Sequence, residues 1–258
     1  SAGTILYVLS QGAYFGDRAA LYDASYDRRD ADGYALRSRL AAVLRLAGDG
    51  PGEALDVGMG PGRLCAELDA RGWTVSGVDA APEMVEAAQR RLPEAASRLV
   101  CARTEELPHA AASFDLVTAT GILEYASLEP ALAEIVRVLR PGGRAVVSYP
   151  NPRALYGIWK TRVWYTSVRA GKRVARRRHP ELPRGGGEFR PDRFLTVLRS
   201  RGLEPVATVH TSFLTLPTPL ERLLPRTTVR IGERCERIGS GGRLLATQIV
   251  YSTRRSSE

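Results

Sequence analysis

The chain has 258 residues and a mass of 28.1 kDa, with 44% apolar and 25% charged residues, the balance of an ordinary soluble α/β-sized domain. No apolar run approaches the roughly 20 residues of a membrane-spanning helix, Thr4–Ser10 is too short and too poor in flanking basic residues for a signal peptide, and Cys65, Cys101 and Cys235 lack the short spacing of a disulfide framework or zinc site, which fits a reducing cytoplasm. The net charge is +9, yet residues 152–187 hold ten basic side chains against Glu181 alone, so the rest is neutral on balance and the basicity is local.

Residues 1–46 read as a helical N-terminal flap containing Tyr14, Tyr22, Tyr26 and Tyr34, and residues 47–258 as one domain. Ala54–Val57 is a short apolar run ending in glycines, and a helix follows over Arg63–Ala70. Trp73–Val78 is the next strand, ending at Asp79. Pro82–Leu92 reads as a helix whose proline suits the first turn, where a missing N–H costs nothing. Arg98–Ala102 and Phe114–Ala119 are the third and fourth strands. Leu128, Leu132, Ile135, Val136 and Leu139 share one helix face, and Pro141-Gly142-Gly143 stops that helix before a fifth strand at Ala145–Tyr149. Strands separated by helices of this length pair in parallel with right-handed crossovers, which predicts a doubly wound, mostly parallel α/β sheet. Beyond Pro150 an aromatic and basic insertion spans 152–187. The rhythm resumes with a helix over Pro191–Arg201, a strand near Glu204–His210, a stretch punctuated by Pro217, Pro219 and Pro225, and a last strand at Leu244–Tyr251.

Chemistry concentrates at Asp56-Val57-Gly58-Met59-Gly60-Pro61-Gly62, between a strand and a helix. Glycines there let the backbone approach a ligand closely, and the helix N-terminus offers free N–H groups to an anionic group. Asp79 stands where a carboxylate accepts hydrogen bonds from two ribose hydroxyls. These features suit any nucleoside cofactor. A dinucleotide loop needs glycine three residues after Gly60, however, and Arg63 stands there.

The D-x-G-x-G-x-G run resembles the first motif of class I S-adenosylmethionine-dependent methyltransferases. Phe114-Asp115-Leu116-Val117, Gly121-Ile122-Leu123-Glu124-Tyr125 and Arg137-Val138-Leu139-Arg140-Pro141-Gly142-Gly143 resemble that superfamily's later motifs, more narrowly those of the methyltransferase type 11 (ubiquinone/menaquinone-type) subgroup. The likeness covers about residues 53–149, and 191–251 in outline. It implies a Rossmann-like methyltransferase fold with a helical flap and an inserted cap, and S-adenosylmethionine as cofactor. It also implies that Gly58, Met59, Gly60 and Gly62 lie under the methionine moiety, with Asp56 orienting that loop. Asp79 would hold the ribose, Ala80 and Met84 would line the adenine with the backbone of Thr104 and Glu105, and Thr120 would face the methionine. Arg103 stands where the family commonly has an acid, and Tyr125 where it often has histidine.

The sulfonium already activates the methyl group, so the protein chiefly aligns a nucleophile and excludes water. A base is needed only for a protonated acceptor; Glu124, Tyr125 and His210 are the candidates. Tyr14, Tyr22, Tyr26 and Trp159 are candidates for the acceptor pocket. Glu106 and Glu134 read as solvated surface, and His109, His179 and His210 share no ligand spacing, so no metal is expected. The insertion, with Tyr156, Trp159, Trp164 and Tyr165 among its cations, has three readings: a cap over a hydrophobic or lipid-like acceptor, peripheral contact with an anionic membrane, or, ranked lower, RNA binding. The leading expectation is a cytoplasmic enzyme, peripheral at the membrane in the second reading. It would methylate a small, lipid-like molecule, with a place in bacterial secondary metabolism and no obligate protein partner. The rivals are an RNA methyltransferase and a cofactor-binding protein without transfer.

Overall fold

The computed structural model describes residues 19–151, 153–164, 166–167, 191–217, 220–238 and 242–256. Strands β1 (Glu53–Val57), β2 (Thr74–Asp79), β3 (Leu99–Cys101), β4 (Phe114–Ala119), β5 (Leu139–Pro150), β6 (Leu203–Phe213) and β7 (Ala246–Arg255) form one sheet in the order β3-β2-β1-β4-β5-β7-β6. The first five run parallel, and β7 lies antiparallel to both β5 and β6. Ala54, Leu55, Asp56 and Val57 are all buried, the mark of a central parallel strand covered on both faces.

Helices cover both faces. On one, Leu132, Ile135 and Val138 of α5 (Leu128–Val138) join Val117 and Ala119 of β4, with Phe194 and Leu198 of α7 (Pro191–Ser200), in one buried cluster. On the other, Val43, Leu44 and Ala47 of α2 (Ala31–Ala47) pack with Leu64 and Leu68 of α3 (Arg63–Asp69) and with Val85 and Ala88 of α4 (Pro82–Arg91). Each fully buried Leu, Ile, Val or Phe side chain among these stabilises the fold by about 1.5–3 kcal/mol relative to exposure. The second half of α2 is therefore core. Helix α1 (Ala19–Ser25) and the first half of α2 reach the open end of the sheet.

Four readings of the sequence are corrected. Helix α5 ends at Val138 because Leu139 is already extended and pairs with Phe114. Leu116 then pairs with Arg144, so Pro141-Gly142-Gly143 is an excursion inside β5, not a turn before it. The proline-punctuated stretch contains α8 (Leu220–Leu223) and a 14-residue helix, α9 (Pro225–Ile238). Pro225 takes the first helical position, where proline is tolerated. The buried positions of α9 include Thr228 and Gly232, with Glu236 bonded to Thr211 and the Ser212 N–H, so its inward face carries little apolar periodicity. Glu134 is not merely solvated: it accepts the Leu107 N–H at 2.8 Å and is gripped by Arg137 at 2.7 Å through both oxygens. His210 lies within β6, opposite Ile249 of β7, away from the cavity.

In the insertion, α6 (Leu155–Ile158) continues as a π-helical stretch over Trp159–Trp164. Tyr156 is buried and hydrogen-bonded to Glu221 of α8, which turns Leu155, Ile158, Trp159 and Val163 outward. Trp159 is consequently 38% exposed and does not line the cavity, contrary to its expected place in the acceptor pocket. Tyr14, Tyr165, His179 and the arginine-rich run 169–178 lie outside the described residues. Among the described residues no helix is long and apolar enough to cross a membrane.

Candidate active site

The carboxyl ends of β1, β2 and β4 open into a cavity of about 260 Å³, at the point where strand order reverses between β1 and β4. Open α/β sheets place ligands at this switch point. The Gly58 and Met59 N–H groups both donate to the Val78 carbonyl, at 2.8 and 3.0 Å, so the β1 turn is stitched to β2. Gly60 (φ 53) donates its N–H to Asp79 Oδ2 at 2.9 Å, and Ala81 donates to Oδ1 at the same distance. A Cβ at Gly60 would project into open space, with the Tyr22 ring nearest at 3.8 Å, so glycine here leaves a cradle that a larger side chain would fill. Gly62 (φ 77) does a different job. A Cβ there would come within 2.9 Å of Ala88, so its absence lets α3 pack closely on α4, and Gly62 does not line the cavity. Met59 lines the cavity while its sulfur sits over Gly77.

Asp56 is buried beneath this turn, where Thr118 Oγ1 donates to it at 2.7 Å and the Cys65 thiol at 3.7 Å. Burial pushes its carboxyl up to about 7; the Thr118 and Cys65 hydrogen bonds oppose the rise, and Asp79 adds to it. Burial also raises Asp79, against the three backbone N–H groups that favour its charge.

The flap is tied down by charge. Asp23 of α1 pairs with Arg63 and Arg91, each at 2.7 Å, and Arg63 also reaches Asp27 at 2.9 Å. Burial alone would raise the Asp23 carboxyl, but the two arginines hold it below its usual value. The Arg63 guanidinium lies 4.9 Å from the Tyr26 ring centroid, and Tyr22 meets Tyr26 edge to face at 6.0 Å. Arg63, which displaces the third dinucleotide glycine, is thus the residue that clamps the flap over the glycine turn.

Of the residues the sequence singled out, Asp56, Gly58, Met59, Gly60, Asp79, Ala80, Met84, Thr104, Glu105, Thr120, Glu124, Tyr125, Tyr22 and Tyr26 line this one cavity. Gly62, His210 and Trp159 do not. Sequence reasoning missed Arg39 and Leu36 of α2 and Ile122 after β4. The signal for Arg39 was its position three residues after Leu36 and four before the buried Val43, on an inward helix face. Burial disfavours its charge, but Tyr22, Tyr26 and Glu124 more than offset that, and Tyr26 hydrogen-bonds it. Glu124 Oε2 is buried with no hydrogen-bond partner among the described residues, and burial holds the carboxyl above its ordinary value despite Arg39.

A methyltransferase-domain family model matches residues 55–147. The demethylmenaquinone methyltransferase of Thermus thermophilus is 38% identical over 152 residues, covering 56% of this chain and 68% of that protein. The biotin biosynthesis bifunctional protein BioHC of Cellvibrio japonicus is 36% identical over 142 residues, and this chain spans only 27% of its length. The fold matches a solved S-adenosylmethionine-dependent methyltransferase of Thermotoga maritima at 19% identity and a TM-score of 0.63, covering 94% of this chain and 98% of that one. With the mostly parallel seven-stranded sheet and the glycine turn at its switch point, these likenesses show that the chain belongs to the methyltransferase-domain family, and it spans between 27% and 68% of the length of the curated relatives it matches.

Proposed function

We propose that the protein methylates a small, hydrophobic or lipid-like acceptor by in-line displacement on the sulfonium methyl. The supporting observation is a single cavity whose lining carries two kinds of chemistry. Asp79, Ala80, Met84, Thr104 and Glu105 suit a nucleoside: Asp79 holds the ribose hydroxyls, while Met84 and Ala80 lie against the adenine with the backbone of 104–105. The cradle over Gly60 receives the methionine moiety, with Asp56 orienting its turn and Thr120 facing it. Tyr22, Tyr26, Leu36, Ile122 and Tyr125 add aromatic and apolar surface to the same lining. Charge disperses as the methyl moves, and a dry wall of this kind suits that change. The relative named for demethylmenaquinone agrees with an acceptor of this character.

The same reading places the enzyme in the cytoplasm, in secondary or isoprenoid metabolism, with peripheral contact at an anionic membrane. Leu155, Ile158, Trp159 and Val163 are exposed beside Lys160 and Arg162, the composition of an interfacial segment. The test is an acceptor screen with methyl-labelled S-adenosylmethionine, run separately on lipid extract and total RNA. Label should enter the lipid fraction; label in RNA alone would overturn the proposal.

A further inference from the structure

Arg39 and Glu124 are two charged groups on the cavity wall that the cofactor assignments above do not use. Arg39 reaches in from α2, and its guanidinium packs on Gly121: a Cβ at that glycine would lie 2.9 Å from Arg39 Nη1. Glu124, three residues further on, lines the same cavity and carries a buried Oε2 with no hydrogen-bond partner among the described residues. A buried carboxylate oxygen without a hydrogen-bond donor is costly to leave so, and a ligand hydrogen reaching it would recover that cost. We propose that Glu124 and Arg39 form a proton-abstracting pair that commits the enzyme to an acceptor bearing a hydroxyl (a phenol, enol or hydroquinol) held with its oxygen between carboxylate and guanidinium.

The donor set argues for this class and against the others. A permanently anionic acceptor needs no base and would be repelled by Glu124. A neutral amine carries its own lone pair and has no use for Arg39. A hydroxyl uses both: the carboxylate accepts its proton, and the cation stabilises the oxyanion that forms. The O–H bond breaks with its proton passing to Glu124. The freed oxygen pair bonds the sulfonium methyl, the S–CH3 electrons stay on sulfur, and the proton leaves later to solvent. Glu124 sits above the ordinary glutamate range through burial, with Arg39 pulling it back down. The other ionisable groups of this neighbourhood are Tyr22 and Tyr26 of the flap, Asp56 of β1, and Tyr149 of β5, which burial, with Glu124 adding to it, pushes up to about 12.

This inference rests on the methyl-transfer reading, and the experiment separates the two. The probes are an alkylated 1,4-dihydroxynaphthalene, kept reduced, and the matching naphthylamine. Glu124→Gln should keep S-adenosylmethionine affinity by calorimetry and lower kcat on the hydroxyl probe by about 10²–10⁴-fold. That deficit should narrow as pH nears the probe's own ionisation. Arg39→Met should move the Glu124 titration, read by NMR of carboxyl-labelled glutamate, and the acid limb of the rate profile upward together. A Glu124→Gln deficit that is absent or independent of pH would overturn the pair. So would a wild-type protein that binds cofactor but methylates only the amine, or neither probe. Failure of wild-type protein to bind S-adenosylmethionine would instead sink the methyl-transfer reading.

Discussion

Removing the Asp79 carboxylate should weaken S-adenosylmethionine binding through two separable losses. Its oxygens accept backbone N–H groups from Gly60 and Ala81 at 2.9 Å, with Ala80 also favouring the charge, and the residue lines the cavity, where its remaining acceptor capacity can meet the ribose hydroxyls. Charge-assisted contacts of this kind are worth about 1–3 kcal/mol, so Asp79→Ala should raise Kd by roughly 5- to 150-fold. The substitution also leaves the Gly60 N–H of the glycine turn and the Ala81 N–H before α4 without this acceptor, a further cost of about 1–3 kcal/mol each, which appears in folding stability whether or not cofactor is present. Asp79→Asn separates the terms. Its one amide oxygen can still accept from Gly60 or Ala81, so it should recover part of the stability while leaving ribose binding weakened. Calorimetric titration gives Kd, and urea unfolding of the cofactor-free protein gives the stability term. An unchanged Kd in both variants would refute the assignment.

Gly60→Val should abolish S-adenosylmethionine binding, because its side chain enters the cradle at positive φ; calorimetry would show no saturable heat. Arg63→Ala should loosen the flap, removing its bond to Asp27 and leaving Asp23 held by Arg91 alone. The pairs are partly exposed and worth about 1 kcal/mol in stability, so the clearest readouts are faster proteolysis near Asp23 and a several-fold loss of cofactor affinity. NADH should not bind at micromolar concentration, since Arg63 occupies the position where a dinucleotide loop needs glycine; saturable fluorescence on titration would contradict this. Asp56, raised in the fold from 3.8 to about 7, binds more protons folded than unfolded between those values. Its contribution is therefore full below about pH 4 and lost as pH rises towards 7. Asp56→Asn should remove that decline of a few kcal/mol from the stability–pH curve, measured by denaturant unfolding from pH 4 to 8.

The parts legible in the sequence were those that local punctuation specifies. Phe114–Ala119 has the same limits in sequence and structure, and β1, the glycine turn and Asp79 follow one another within a single βαβ unit. What escaped depends on distant partners. Helix α9 packs polar residues on Tyr34 and β6, so hydrophobic period carried little of its signal. The outward turn of Trp159 is set by a bond between Tyr156 and Glu221, 65 positions apart. Glu134 looked solvated until Leu107, 27 residues earlier, folded back on it. Arg39 had a positional clue, but only the closing of α2 over Gly121 shows where its charge goes.

The central claim is that one cavity at the β1–β4 switch point holds both cofactor and acceptor. A crystal structure of the S-adenosylhomocysteine complex tests it most directly. The account predicts both ribose hydroxyls on Asp79, adenine against Met84 and the Thr104–Glu105 backbone, and the homocysteine moiety over Gly60 with its sulfur directed towards Tyr22, Ile122 and Glu124. Density for the product elsewhere, or in this cavity with the sulfur turned away from those three residues, would contradict it.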